Sequence, residues 1–174
     1  MMFAFIRSLF AACLPLLLVA AANVNAAPAT IEIVAIGASN TLGWGVLPGS
    51  AYPERLQAML RDKGYNVRIA NAGVLFDTTA GMLSRLDSAV PEGTRVVILQ
   101  PGGNDLRFFG TKERRAANID AMAKRLRARK IKVIVFDPVI PPQYYQWDGI
   151  HLSADGHAMF AAKLLPQVIK AITQ

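Results

Sequence analysis

Cysteine is nearly absent: the 174-residue chain has one, Cys13, inside an apolar run near the N-terminus. The rest of the chain can therefore build neither a disulfide framework nor a cysteine metal site, and it must hold together by packing. Histidine is almost as scarce, so His151 and His157 are the only imidazoles open to acid–base chemistry. The glycine-rich stretch Pro101-Gly102-Gly103-Asn104 fits neither familiar phosphate-loop pattern, which argues against a flavodoxin-like nucleotide binder. No internal repeat, low-complexity tract or second domain is visible.

Acidic residues are also few, 12 against 19 basic ones, for a net charge of +7. Ten of the basic residues fall between Arg107 and Lys132, so the excess is local. That segment lacks the interleaved aromatics that stack bases, and nucleic acid is not an expected partner. It reads as a solvated helix face suited to anionic lipid or polysaccharide.

The N-terminal segment has the three parts of a secretory signal: a short basic leader ending at Arg7, an apolar run from Leu9 to Ala22, and a small-residue cleavage site at Val24-Asn25-Ala26. Residues 1–26 are expected to be removed, leaving 27–174 as a single periplasmic or secreted domain. The apolar run is too short for a comfortable span, so no stable membrane span is expected after cleavage.

The remainder of the chain alternates strand and helix. Five of the six residues from Ile31 to Ile36 are apolar and mostly β-branched, as in a parallel strand buried on both faces, and the stretch leads into Gly37-Ala38-Ser39-Asn40. A helix is expected from Pro53 to Lys63. Tyr65–Ala70 alternates apolar and polar residues, which suits an edge strand. Asn71 to Asp77 then reads as a strand-end loop, and Thr78 or Thr79 caps a short helix. Arg95–Gln100 is a buried strand, Thr111–Arg129 a long helix, Ile131–Phe136 a fourth strand. The final helix begins at Ser153, and Pro166 should kink or restart it.

This pattern calls for an α/β fold, a three-layer α/β/α sandwich on a flavodoxin-like parallel sheet truncated to about four strands; if the chain winds as flavodoxin-like folds do, the order is 2-1-3-4. In such sheets reactive groups gather beyond the carboxyl ends of the strands. There the chain places Ser39, the Asn71–Thr78 loop, Asn104, and the pair Asp148 and His151. A nucleophile, a base, a carboxylate to orient the base and donors for an oxyanion are the parts an acyl-transfer site needs. His157 falls inside the last helix and reads as a surface or packing residue.

Four blocks, Gly37-Ala38-Ser39-Asn40, Asn71 to Thr78, Gly102-Gly103-Asn104-Asp105 and Asp148-Gly149-Ile150-His151, make the chain resemble the SGNH hydrolases of the GDSL esterase and lipase family, near their periplasmic thioesterase, lysophospholipase and arylesterase members. The resemblance implies Ser39 as nucleophile, His151 as general base and then acid, and Asp148 as its orienting partner. It implies an oxyanion hole from the Ser39 and Phe76 backbone amides and the Asn104 side chain. The implied substrate is a small acyl ester or thioester, and no metal or cofactor is expected. A carbohydrate O-acetyl esterase and a non-catalytic ligand-binding relative are the alternatives. Phe108, Phe109, Tyr144, Tyr145 and Trp147 are pocket candidates. An α/β-hydrolase is excluded, because no glycine stands two residues after Ser39.

Three features depart from the family pattern. Ala38 stands where the pattern has Asp, and Phe76 where it has Gly, so a turn needing positive φ would be strained there. The segment from Phe136 to Asp148 is too short for a further helix and strand.

Overall fold

The computed structural model describes residues 29–108 and 110–174; the leader, Cys13 and Phe109 lie outside the described residues. Four strands, β1 (Ile31–Gly37), β2 (Val67–Gly73), β3 (Thr94–Gln100) and β4 (Lys132–Val135), form one parallel sheet in the order β2-β1-β3-β4. The helical segments are α1 (Ser39–Leu42), α2 (Tyr52–Asp62), α3 (Thr79–Ser84), α4 (Leu86–Ala89), α5 (Asn104–Arg107), α6 (Lys112–Ala128) and α7 (Ala154–Thr173), with a 3-10 turn at Pro142–Tyr144.

The period of two along a strand builds two cores from one sequence. Ile33 and Ala35 of β1 join Val96 and Ile98 of β3 beneath Leu56, Leu60, Phe160, Leu164 and Val168 of α2 and α7. Val34 and Ile36, with Val97 and Leu99, face the other way onto Met82, Leu86, Met122 and Leu126. Helices thus cover both faces, and the central strands are apolar through their buried middles, residues 33–36 and 96–99. In β2 only Val67 and Ile69 are buried, which is the alternation expected of an edge.

Several boundaries differ from expectation. Residues 71–73 extend β2 instead of opening a loop, because Ala72 and Gly73 pair in register with Ile36 and Gly37. A Cβ on Gly73 would stand 2.1 Å from the Leu42 nitrogen, so only glycine lets α1 pass this close. The helix after Thr78 is two short helices, α3 and α4, meeting at Arg85. A single helical turn, α5, begins at Asn104 itself. The last helix runs through Pro166 without restarting, with Leu164, Val168 and Ile172 buried on either side. Packing on both sides of the proline outweighs the loss of one backbone hydrogen bond. No helix among the described residues is long and apolar enough to cross a membrane.

Candidate active site

The turn after β1 is built for close approach. A Cβ on Gly37 would meet the Thr41 hydroxyl at 2.1 Å and the Gln100 carbonyl at 2.8 Å, so the chain can fold into α1 only from a glycine. Ala38 is the N-cap of α1 and is itself buried, part of the core beneath α3 and α6. The Asp-to-Ala departure therefore falls on a packed wall position. Ser39, the first residue of α1, is 8% exposed, with its hydroxyl toward the strand ends.

Beyond β4 the chain reaches Asp148 through the 3-10 turn, with no additional strand. Asp148 Oδ1 accepts the backbone N–H groups of Ile150 (2.9 Å) and His151 (3.0 Å), and Gly149 takes φ 65° to permit the turn. Its Oδ2 lies 2.6 Å from His151 Nδ1, and His151 Nε2 lies 3.1 Å from Ser39 Oγ. The backbone amide of His151, then its ring and the amide of Ile150, hold the Asp148 carboxyl down at about 2 from its usual 3.8. An ionised Asp148 requires a proton on Nδ1, which leaves the Nε2 lone pair to accept from the serine hydroxyl. Ser39, His151 and Asp148 thus form one continuous relay across 112 residues of sequence.

Asn104 lines the same cavity as Ser39, and its Nδ2 donates one hydrogen to the Asp77 carbonyl at 2.9 Å. A carboxamide has a second N–H, so that bond orients the group without exhausting it. Asp77 is held in turn by Arg85, whose Nε bonds its carboxylate at 2.8 Å and whose Nη2 bonds the carbonyls of Gly37 and Ala72. Buried Asp105 accepts from the Thr79 amide and hydroxyl, tying the third block to the second.

Phe76 has φ 61°, the left-handed conformation that favours glycine, so the strain expected of this departure is present. The residue is 64% exposed, and its ring stands edge to face with that of Phe108 at 6.5 Å between centroids. Because little ring burial is at stake, two substitutions isolate the backbone cost. Phe76→Gly is expected to be about 1 kcal/mol more stable than Phe76→Ala, measured by urea unfolding.

A cavity of about 390 Å³ opens beside Ser39, walled by Gln100, Asn104, Ile140, Tyr145 and Phe160, with Arg107, Arg115 and Asp137 farther out. Arg115 is ion-paired with Asp137. Of the proposed pocket aromatics among the described residues, which exclude Phe109, Tyr145 alone lines it. Tyr144 instead spends its carbonyl on Ser153 at the start of α7, Phe108 packs on Phe76, and Trp147 is 97% exposed. Composition does not reveal side-chain direction, and in this loop neighbouring residues diverge. His157 is a packing residue: fully buried, it accepts the Tyr52 amide on Nδ1 at 3.2 Å, and burial pushes it down to about 4, with Arg55 adding to the effect. It takes no part in the relay.

The sequence assigns no role to one residue of the first block, Asn40. Asn40 donates from Nδ2 to the Ile150 carbonyl (3.1 Å) and accepts the Leu152 amide on Oδ1 (2.8 Å), bracketing His151 from both sides. The histidine loop is thereby pinned to the serine's own turn. Asn40→Leu keeps the volume and deletes both bonds; kcat for an ester substrate is expected to fall roughly tenfold to a hundredfold with KM nearly unchanged. An equal loss through KM would mean that Asn40 shapes the cavity rather than aligning the relay.

A parallel α/β sandwich with a Ser–His–Asp relay beyond its strand ends defines the class of protein. The chain belongs to the GDSL-like lipase/acylhydrolase family, whose model matches residues 35–148. It is 33% identical to Esterase TesA of Pseudomonas aeruginosa over 144 residues, 78% of this chain and 66% of the relative. It is 26% identical to an arylesterase of Vibrio mimicus over 121 residues, 68% of this chain and 60% of the relative. The matched segment thus spans less than two thirds of the length of each of these curated relatives. Among solved structures it is similar to AlinE4, an SGNH-hydrolase family esterase, with TM-score 0.61 and 29% identity over 81% of this chain and 75% of that one.

Proposed function

We propose that the protein is a serine carboxylic-ester hydrolase working through an acyl-enzyme. The observation that carries this reading is the unbroken relay, 3.1 Å from Ser39 Oγ to His151 Nε2 and 2.6 Å from His151 Nδ1 to Asp148. Ser39 Oγ attacks the substrate carbonyl while His151 Nε2 takes its proton, and Asp148 stabilises the imidazolium. The tetrahedral oxyanion is held by the backbone N–H groups of Ser39 and Phe76 and the second N–H of Asn104. Collapse expels the alcohol or thiol, which receives the proton from His151. Water, deprotonated by the same nitrogen, then releases the acid and regenerates Ser39. The reaction calls on no metal or cofactor.

The substrate we assign is a short or medium acyl ester or thioester, of the arylesterase or lysophospholipase kind. The cavity volume and the esterase and arylesterase relatives support this. The polar outer wall, with Arg107, Arg115 and Asp137, gives a carbohydrate O-acetyl ester as the second reading. From the leader sequence we place the protein in the periplasm or outside the cell. The test is turnover of p-nitrophenyl acetate and butyrate together with fluorophosphonate labelling at Ser39. Saturable ligand binding with neither turnover nor labelling would mark a non-catalytic relative.

A further inference from the structure

The exposed apolar side chains are not scattered. Among the described residues, every exposed large hydrophobic except Val135 lies in a segment that comes after the end of one of the four strands. Trp44 and Leu47 come after β1, Phe76 after β2, Phe108 after β3, and Val139 and Trp147 after β4. Leu47 is 78% exposed and Val139 91%. These segments surround the cavity that holds Ser39: Phe76 meets Phe108 edge to face, and the Trp44 ring sits tilted at 6.3 Å from His151. The opposite end of the sheet exposes Asp62, Lys63, Glu92, Arg129 and Lys130 instead. Single exposed apolar residues mean nothing, but apolar side chains confined to one end around a cavity mouth mark a contact surface.

We propose that this rim docks on the surface of an aggregated amphiphile with anionic headgroups, a bilayer or micelle, and presents the cavity to esters held there. Indole rings favour the boundary between water and hydrocarbon, and both tryptophans of the chain are on the rim. Arg107, Lys112 and Arg114 border the Phe108 segment and form no ion pair among the described residues, so the charge beside the apolar rim complements anionic headgroups. A protein seated on the rim would stopper the cavity, whereas a lipid surface supplies it. Docking itself does not depend on ester hydrolysis; what docking delivers to the cavity rests on the ester-hydrolase reading.

Because Trp44 and Trp147 are the only tryptophans, their emission reports the rim alone. Full-chain Ser39→Ala is titrated with vesicles of phosphatidylcholine, with and without phosphatidylglycerol, some carrying brominated chains. A blue shift and bromine quenching with the anionic vesicles are expected. Adding Leu47→Ser and Val139→Ser to Ser39→Ala should raise the lipid needed for the same change at least about tenfold, while the same two substitutions in the chain that keeps Ser39 should leave hydrolysis of monomeric p-nitrophenyl acetate within about twofold of wild type. Absence of the shift, an unchanged titration in the double variant, equal binding to both vesicle types, or a concentration-dependent dimer abolished by the double variant would each overturn the proposal. The titration uses an inactive serine variant, so it stands or falls separately from ester turnover.

Discussion

Ser39→Ala is expected to lower kcat for p-nitrophenyl esters by roughly 10⁴- to 10⁶-fold and to abolish fluorophosphonate labelling, while the protein stays folded. The two halves of this expectation have different causes. The rate falls because no other nucleophile is placed to take over: His151 Nε2 is already the serine's hydrogen-bond partner, and Thr41, the nearest hydroxyl in the turn, is fully buried and engaged with Gln100 and Tyr52. The fold survives because the substitution deletes one hydroxyl from a site that makes one side-chain hydrogen bond, worth about 1 kcal/mol, and opens no core cavity. The carbonyl of residue 39 still receives Gly43 and Trp44, so α1 keeps its geometry. Turnover that persisted in a folded Ser39→Ala protein would dismiss the acyl-enzyme and leave His151 acting directly on water.

The sheet and the relay were legible in the sequence for the same reason: both are carried by residue types with steep preferences. Buried parallel strands are rich in Val, Ile and Leu, and a turn like that at Gly37 admits no side chain, so the strands and the position of Ser39 can be read directly, while the 2-1-3-4 order follows from flavodoxin-like winding and not from composition. Asp148 and His151 were readable because two intervening residues suffice to form one tight turn. The groups that hold these parts in place left no such mark. Asn40 bonds backbone atoms 110 and 112 residues away, and Arg85 gathers two carbonyls and a carboxylate from two different strand ends. A polar side chain that bonds a distant main chain has no periodicity and no required spacing, so only the folded structure reveals it. The end of β2 was misjudged on propensity, since Asn, Ala and Gly form strands poorly and are held there by pairing with β1. The loop aromatics failed for a third reason: Tyr145 and Trp147 differ by two positions and by whether they enter the cavity, which ring chemistry cannot decide.

Asp148→Asn separates the carboxylate's two functions, because each of its oxygens has a different task. Oδ1 accepts the Ile150 and His151 amides and so shapes the turn, while Oδ2 faces His151 Nδ1. In asparagine the carbonyl oxygen can keep the first role, so the loop, and with it the pairing of Asn40 to Ile150 and Leu152, is expected to remain. The amide nitrogen must then occupy the Oδ2 position, where it donates instead of accepting. His151 is forced to carry its proton on Nε2, the nitrogen that should receive the serine proton, and kcat is expected to fall about 10⁴-fold with the thermal midpoint little changed. The native pH behaviour has its origin in the same contacts. Hydrogen bonds from the His151 and Ile150 amides and the His151 ring depress the Asp148 carboxyl, so its contribution to the turn is complete above about 3.8 and is lost as pH falls through about 2. Any loss of activity between pH 7 and pH 5 must therefore arise elsewhere than in protonation of Asp148. Asp148→Ala, which removes both acceptors, should by contrast lower the thermal midpoint as well as the rate. Equal midpoints for Asp148→Asn and Asp148→Ala would show that the turn does not depend on Oδ1.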